Sequence, residues 1–252
     1  MSLRIVQITD THLSRDPDGV LAGVATWKTF NAVLRQIERR HADFDYLVLT
    51  GDLAQDEALE TYQMLREALG EWLHRLRIIP GNHDAPANLR AVFPELFPRA
   101  EGPLTFTLSN AEWKIIGLDS HLPGDVKGRI DAGQLEWLRG ELCAAPDLPS
   151  LLFVHHPPVA INVAWIDKLG LHDPDDLIGI IEGSPQIKAV CAGHVHQEFC
   201  GQIGAAAVFT TPSTCVQFSA RAEKAFDTRA AGYRTFRLEE SCQTEVHRLS
   251  DS

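Results

Sequence analysis

The sequence has no Cys-x-x-Cys pair, no run rich in lysine and arginine, and no long uninterrupted apolar stretch. Each absence removes a class of protein. The five cysteines (Cys143, Cys191, Cys200, Cys215, Cys242) are scattered and odd in number, which argues against a disulfide framework and for reduced thiols in a cytoplasmic protein. With no basic run and a formal net charge of −11, the chain offers no face for holding nucleic acid through its phosphates. A membrane-spanning helix needs about 20 consecutive apolar residues, and none is present, so no membrane partner is expected. The N-terminus shows neither a basic segment nor a cleavage site, and Arg4–Thr9 already has the look of a core strand, so no signal peptide is expected. No low-complexity tract, internal repeat or long linker divides the 252 residues. A single domain over 1–252 is the expectation, with 205–252 a C-terminal β-rich segment that completes a sheet and helps wall a site.

What is present is organised around Asp45-Tyr46-Leu47-Val48-Leu49-Thr50-Gly51-Asp52. A short apolar run without alternation reads as a strand buried on both faces. Gly51 lets the backbone turn, and Asp52 then points into the crevice at the carboxyl end of the strand, where open α/β sheets bind ligands. Alone this is weak, since Asp after Gly is common in turns. The same arrangement recurs. Strand Arg4–Thr9 ends in Asp10-Thr11-His12; Leu76–Pro80 ends in Gly81-Asn82-His83-Asp84; Ser150–Val154 ends in His155-His156-Pro157-Pro158; Ile187–Cys191 ends in Gly193-His194-Val195-His196.

Between the early strands lie helical patterns, one with Phe30, Val33, Leu34 and Ile37 on a face, the next with Tyr62, Leu65, Leu69, Trp72 and Leu73. Three strand–loop–helix units in succession predict parallel strands with crossover helices. The segments Thr105–Leu108 and Trp113–Leu118 then suit a hairpin opening a second sheet, and a helix around Gln134–Leu142 follows. The end of the chain reads as β at 207–211, 233–238 and 244–248.

If the five loop-bearing strands share one sheet edge, Asp10, His12, Asp52, Asn82, His83, His155, His194 and His196 converge. That is more than one ion needs and suits two ions bridged by a shared carboxylate. Cysteine is missing from the set, so a thiolate zinc site is excluded, and mixed oxygen and nitrogen donors suit iron, manganese, zinc or cobalt. Asn82 supplies a neutral carbonyl oxygen suited to a hard ion among carboxylates. A further Asp-x-His at Asp119-Ser120-His121 reads mainly as structural. Asp84 reads as a support for the site or a helix N-cap before Pro86.

The series Asp10-x-His12, Gly51-Asp52, Gly81-Asn82-His83-Asp84, His155 and Gly193-His194-x-His196 resembles the calcineurin-like metallophosphoesterase family. Thr9–Leu13, His155–Pro158 and Cys191–Glu198 resemble its class III cyclic-nucleotide phosphodiesterases. The tail, Thr211–Phe218 with Gly232–Thr235 and Thr244–Leu249, is similar to bacterial 3′,5′-cyclic-AMP phosphodiesterases. The resemblance implies a four-layer α/β/β/α sandwich of two packed mixed sheets with flanking helices. It implies one ion held by Asp10, His12 and His196, a second by Asn82, His155 and His194, and Asp52 bridging them. Iron and manganese head the metals it implies.

Two ions about 3.5–4 Å apart would activate a bridging hydroxide for in-line attack on phosphorus and stabilise the charge that builds there. His83 is the candidate to contact phosphate or to protonate the leaving oxygen, or else to orient a neighbouring ligand; Asn82 and His194 also face substrate. The expected substrate is a small phosphodiester, 3′,5′-cAMP converted to 5′-AMP. A broad-specificity or glycerophosphodiester phosphodiesterase is the alternative, and a non-catalytic nucleotide-binding regulator a distant third. A second copy of the chain, in a homodimer, is a further partner left open.

Overall fold

The computed structural model describes residues 2–220 and 225–250, so a few positions of the 205–252 segment lie outside the described residues. The unbroken apolar runs become strands because both of their faces are covered. Five strands form one mixed sheet in the order Cys242–Arg248, Gly232–Leu238, Leu3–Ile8, Tyr46–Thr50, Leu76–Ile79. The last three are mutually parallel, and Gly232–Leu238 runs antiparallel to Leu3–Ile8. Six strands form the second sheet, in the order Phe199–Ile203, Ala206–Thr210, Ile187–Ala192, Ser150–Val154, Lys114–Leu118, Phe106–Ser109. Its central four are parallel and its two edges antiparallel.

Side chains alternate across each strand, so successive residues enter different cores. Ile5, Val48 and Ile79 of the first sheet meet Leu151, Phe153, Ala189 and Cys191 of the second in the layer between the sheets. Their neighbours Val6, Ile8, Leu47, Leu49 and Ile78 face outward against Phe30, Val33 and Ile37 of helix Thr26–His41 and Tyr62 and Leu65 of helix Leu59–Leu69. On the far side, Leu152, Val154, Val190 and Ala192 pack on Leu135, Leu138 and Leu142 of helix Ala132–Cys143 and on Leu177 and Ile181 of helix Asp175–Glu182. The layers are helix, sheet, sheet, helix. Each such side chain contributes about 1.5–3 kcal/mol on burial, which is why the central strands need no polar face.

The predicted second helix is shorter than its apolar spacing suggests. It ends at Leu69, and Gly70, at φ 47°, turns the chain into a 3₁₀ segment, Gly70–Arg75, that carries Trp72 and Leu73. Both residues still pack on the core, so periodicity caught the burial and missed the break. The five loop-bearing strands also do not share one sheet. Three belong to the first and two to the second, and their carboxyl ends converge because the sheets stack face to face. Buried polar contacts fix that meeting: the Gln7 amide donates to Thr50 Oγ1 (2.9 Å) and to the Ala192 carbonyl (3.4 Å) across the layers. Among the described residues, no helix is long and apolar enough to cross a membrane.

Candidate metal centre

The loops after the strands carry backbone strain where the chemistry is expected. Of eight non-glycine residues with positive φ among those described, five are Asp10, His12, Asp52, His194 and His196. Left-handed backbone is disfavoured for residues with a Cβ, so its concentration here means that the surrounding contacts impose the side-chain directions. Those contacts are specific. The Asp10 and His12 amides donate to the carbonyls of Gly51 and Asp52, both at 2.9 Å, while the His194 amide donates to both Asp10 carboxylate oxygens at 3.1 Å. Gly81 and Gly193 are required by close approach: a Cβ on Gly81 would collide with Asp52 Oδ1, and one on Gly193 with Thr9 Oγ1.

Three of the histidines are each turned by a carbonyl oxygen, which only accepts. His155 Nδ1–H donates to the Thr50 carbonyl (2.7 Å), His196 Nδ1–H to the Val216 carbonyl (2.8 Å), and His12 Nδ1–H to Gln55 Oε1 (2.7 Å). In all three Nε2 is left facing the centre, the orientation that a second partner gives a metal-ligating histidine. His12 Nε2 and His196 Nε2 then face each other at 3.1 Å. Two lone pairs at that distance repel unless a cation or proton stands between them.

Asp52 lies between two groups of donors. Its Oδ2 is 3.7 Å from His12 Nε2, and its Oδ1 is 3.4 Å from His155 Nε2. On the first side, Asp10, His12 and His196 form a compact set, with Asp10 Oδ1 3.3 Å from His196 Nε2. On the second, His155 and His194 belong to one close group and their Nε2 atoms are buried with no hydrogen-bond partner among the described residues, as is Asn82 Oδ1 in the loop after Leu76–Ile79. Unpaired buried polar atoms are costly, so the two neighbouring imidazole nitrogens mark a position shaped for a ligand, with the Asn82 oxygen as a further candidate donor. The donor set, oxygen and imidazole nitrogen without thiolate, fits hard or borderline metal ions.

His156 also lies within reach of His155 and His194. It is nevertheless fully engaged, Nε2–H donating to the Val126 carbonyl (3.0 Å) and Nδ1 accepting from Ser120 Oγ (2.8 Å). It therefore supports the centre without a free lone pair. Asp119 takes the backbone amides of Leu104 (2.7 Å) and His121 (2.9 Å), which is a structural use of that Asp-x-His. Asp84 is not the cap of helix Pro86–Val92, whose N-cap is Ala85 without a side-chain bond. Its carboxylate turns inward and takes the amides of Leu53 (3.0 Å), Ala54 (3.3 Å) and Gly81 (2.9 Å) and the Tyr62 hydroxyl (3.0 Å), tying two site loops together. Burial and the Asp52 carboxylate push Asp84 up to about 7.

Sequence reasoning missed Gln55, Thr50, Ser213 and Val216. The last two act through backbone or local geometry that no side-chain pattern displays: Ser213 Oγ donates to the Asp10 carbonyl (2.7 Å), and Val216 uses only its carbonyl. Gln55 carried a signal, a polar residue just beyond the buried Leu53-Ala54 pair.

Burial drives His12 down to about 4 and His194 to about 3, so both are neutral at pH 7. Burial opposes charge on His155 as well, but the Asp52 carboxylate outweighs it and lifts His155 to about 9. Asp52 is held well below the usual carboxylate range: burial acts to raise it, and His155 and His12 overcome that. An arriving ion must therefore displace a proton from His155. Its apparent affinity is expected to rise about tenfold per pH unit between about pH 7 and 9 and to level off above that. Competition with a chelator across that range checks this; a flat profile would contradict the assignment of His155 as a ligand.

A family model described as calcineurin-like phosphoesterase matches residues 3–198, and the chain belongs to that family. A 3′,5′-cyclic adenosine monophosphate phosphodiesterase, CpdA, of Vibrio vulnificus is 37% identical over 252 residues, covering 99% of this chain and 91% of that one. A 3′,5′-cyclic-nucleotide phosphodiesterase of Nostoc sp. is 33% identical over 240 residues, 94% of this chain and 88% of the other. Among solved structures, a dimetal phosphatase from Danio rerio shares the fold with a TM-score of 0.70 at 13% identity, over 98% of this chain and 99% of that one.

Proposed function

We propose that the protein is a two-metal phosphodiesterase that hydrolyses 3′,5′-cyclic AMP to 5′-AMP. The observation that carries the substrate is the extent of the likeness. The family model stops at residue 198, whereas the likeness to the Vibrio enzyme runs over 99% of the chain and so takes in the tail. That tail also serves the site, since Val216 orients His196 and Ser213 holds the Asp10 loop. We read it as part of one domain spanning 1–252.

In this reading Asp10, His12 and His196 would hold one ion, Asn82, His155 and His194 the other, and Asp52 would serve both. Iron and manganese suit the donors best, with zinc and cobalt as alternatives. When bound, the ions supply the Lewis acidity that lowers the pKa of a water and offsets charge on the phosphoryl oxygens. The chain supplies the rest. Asp52 stays ionised, so its charge is available at neutral pH. His83 is fixed at its backbone, the amide donating to Asp52 Oδ1 (2.8 Å), while its half-buried ring stands 5.1 Å from His12. Neither ring nitrogen of His83 forms a hydrogen bond among the described residues, so one is free to give a proton to the departing 3′ oxygen. The free cysteines suit a reducing compartment, and we place the protein in the cytoplasm.

Metal-reconstituted protein incubated with 3′,5′-cAMP is expected to yield 5′-AMP and no 3′-AMP, as read by phosphorus NMR. Intact cAMP alongside cleavage of simple phosphodiesters would replace this reading with a broad-specificity phosphodiesterase.

A further inference from the structure

Three aromatic rings extend outward from the His196 side of the centre. Phe218 lies flat on the His196 imidazole, with centroids 4.0 Å apart and planes 6° from parallel. Trp165 meets Phe218 edge-on at 5.1 Å. Phe226 faces Phe218 across the two-stranded ribbon of Gln217–Phe218 and Phe226–Asp227, 6.1 Å away. Phe218 and Trp165 are half-buried and rest on Ile161, Val163, Ile166 and Val195, which gives them a firm apolar backing. Phe226 is 41% exposed.

Fixing His196 does not require all three. The Val216 carbonyl sets its tautomer, and Phe218 covers its ring face; the ring contacts of Trp165 and Phe226 among the described residues are to Phe218, not to His196. They instead prolong an apolar aromatic surface beside a strongly polar centre, with the Trp165 and Phe226 planes at 67° and 39° to that of Phe218. The matching molecule carries a phosphate at one end and a flat aromatic group at the other, joined by a spacer.

We propose that Phe218, Trp165 and Phe226 form the shelf on which the base of a nucleotide stacks while its phosphate occupies the centre. This rests on the nucleotide reading given above and names the residues that select it. Aromatic rings stack on the π-face of any base, so the shelf favours bases over base-free phosphates and large purines over pyrimidines, without reading hydrogen-bond edges.

The test uses metal-loaded protein and a pair of ligands that differ only in the base, 5′-AMP and ribose 5-phosphate, with affinities measured by calorimetry. Wild-type protein is expected to prefer 5′-AMP. Phe226→Ala, at an exposed position where folding is not at stake, is expected to weaken 5′-AMP binding roughly five- to tenfold, the lower end of base–aromatic stacking, and to leave ribose 5-phosphate and metal content unchanged. Phe226→Trp should restore the preference, and Phe226→Leu should not. An unchanged 5′-AMP affinity in Phe226→Ala, or equal losses for both ligands, would overturn the shelf. Wild-type protein that leaves 3′,5′-cAMP intact but shows the Phe226-dependent preference would uphold the shelf and defeat the substrate reading.

Discussion

Replacing Asp52 by alanine is expected to empty both ion positions together and to lower turnover by about 10³-fold or more. The reasoning is geometric. Asp52 Oδ2 faces His12 and Oδ1 faces His155, so the single carboxylate belongs to both donor groups. Its charge is intact at neutral pH because its neighbours hold it well below the usual carboxylate range. Removing it leaves neutral histidines and one amide on the second side, a poor set for a doubly charged ion. Loss of one electrostatic contact to a developing charge typically costs about 10²–10³-fold, and here the loss extends to two ions. His196→Ala, by contrast, removes a donor from one group only and should release about half of the metal, because the other group keeps its three donors and Asp52. Elemental analysis after reconstitution, with thermal unfolding to confirm a folded chain, separates the two variants. Full metal content and near-normal turnover in Asp52→Ala would defeat the bridging assignment.

The second large effect is expected at His83. Its ring is half-buried, beside His12, and free of hydrogen bonds among the described residues, while its backbone is anchored to Asp52. Opening a cyclic phosphodiester expels a sugar alkoxide, which leaves slowly unless protonated; a nitrophenolate leaves unaided. General acid catalysis contributes about 10²–10⁴-fold, so His83→Ala should slow 3′,5′-cAMP hydrolysis by that order and bis(p-nitrophenyl) phosphate hydrolysis far less. Metal content should hold near the wild-type value, since the three donors on each side remain. Equal losses with the two substrates would assign His83 to phosphate binding instead. Loss of an ion would make it a support for the ligands.

Much of this centre was legible before any coordinates. The residues that converge were named by a repeated pattern, strand then Asp, Asn or His, and the structure brings Asp10, His12, Asp52, His83, His155, His194 and His196 into mutually close groups, with Asn82 adding an unpaired oxygen. Donor chemistry is a property of side chains, and side chains are what a sequence states. The strands were equally plain, because burial on both faces leaves an unbroken apolar run such as Tyr46–Thr50 or Ser150–Val154.

Other features depended on partners far away in the chain. Asp84 reads in its local setting as either a support for the site or a cap; only the approach of the 51–54 loop and Tyr62, which turns its carboxylate inward, decides for the support. Helix Leu59–Leu69 stopped at Gly70 although Trp72 and Leu73 continued the apolar spacing, since a 3₁₀ turn can bury the same residues. Which sheet each loop-bearing strand joins was invisible as well, because a parallel pairing is made between residues distant in the chain, as Leu49 pairs with Ile78 and Ile8 with Leu49.

By itself, then, the sequence determined the candidate donor atoms and the loops that carry them, for these follow from residue type and local burial. Only the tertiary structure decided how the donors divide and where they aim. The division follows from stacking two sheets so that Asp52 lies between donors of both. The aim follows from carbonyls of Thr50 and Val216, which take the Nδ1 protons of His155 and His196 and turn each Nε2 inward. Every residue has a backbone carbonyl, so no residue type announces it, and its direction exists only once the chain has folded.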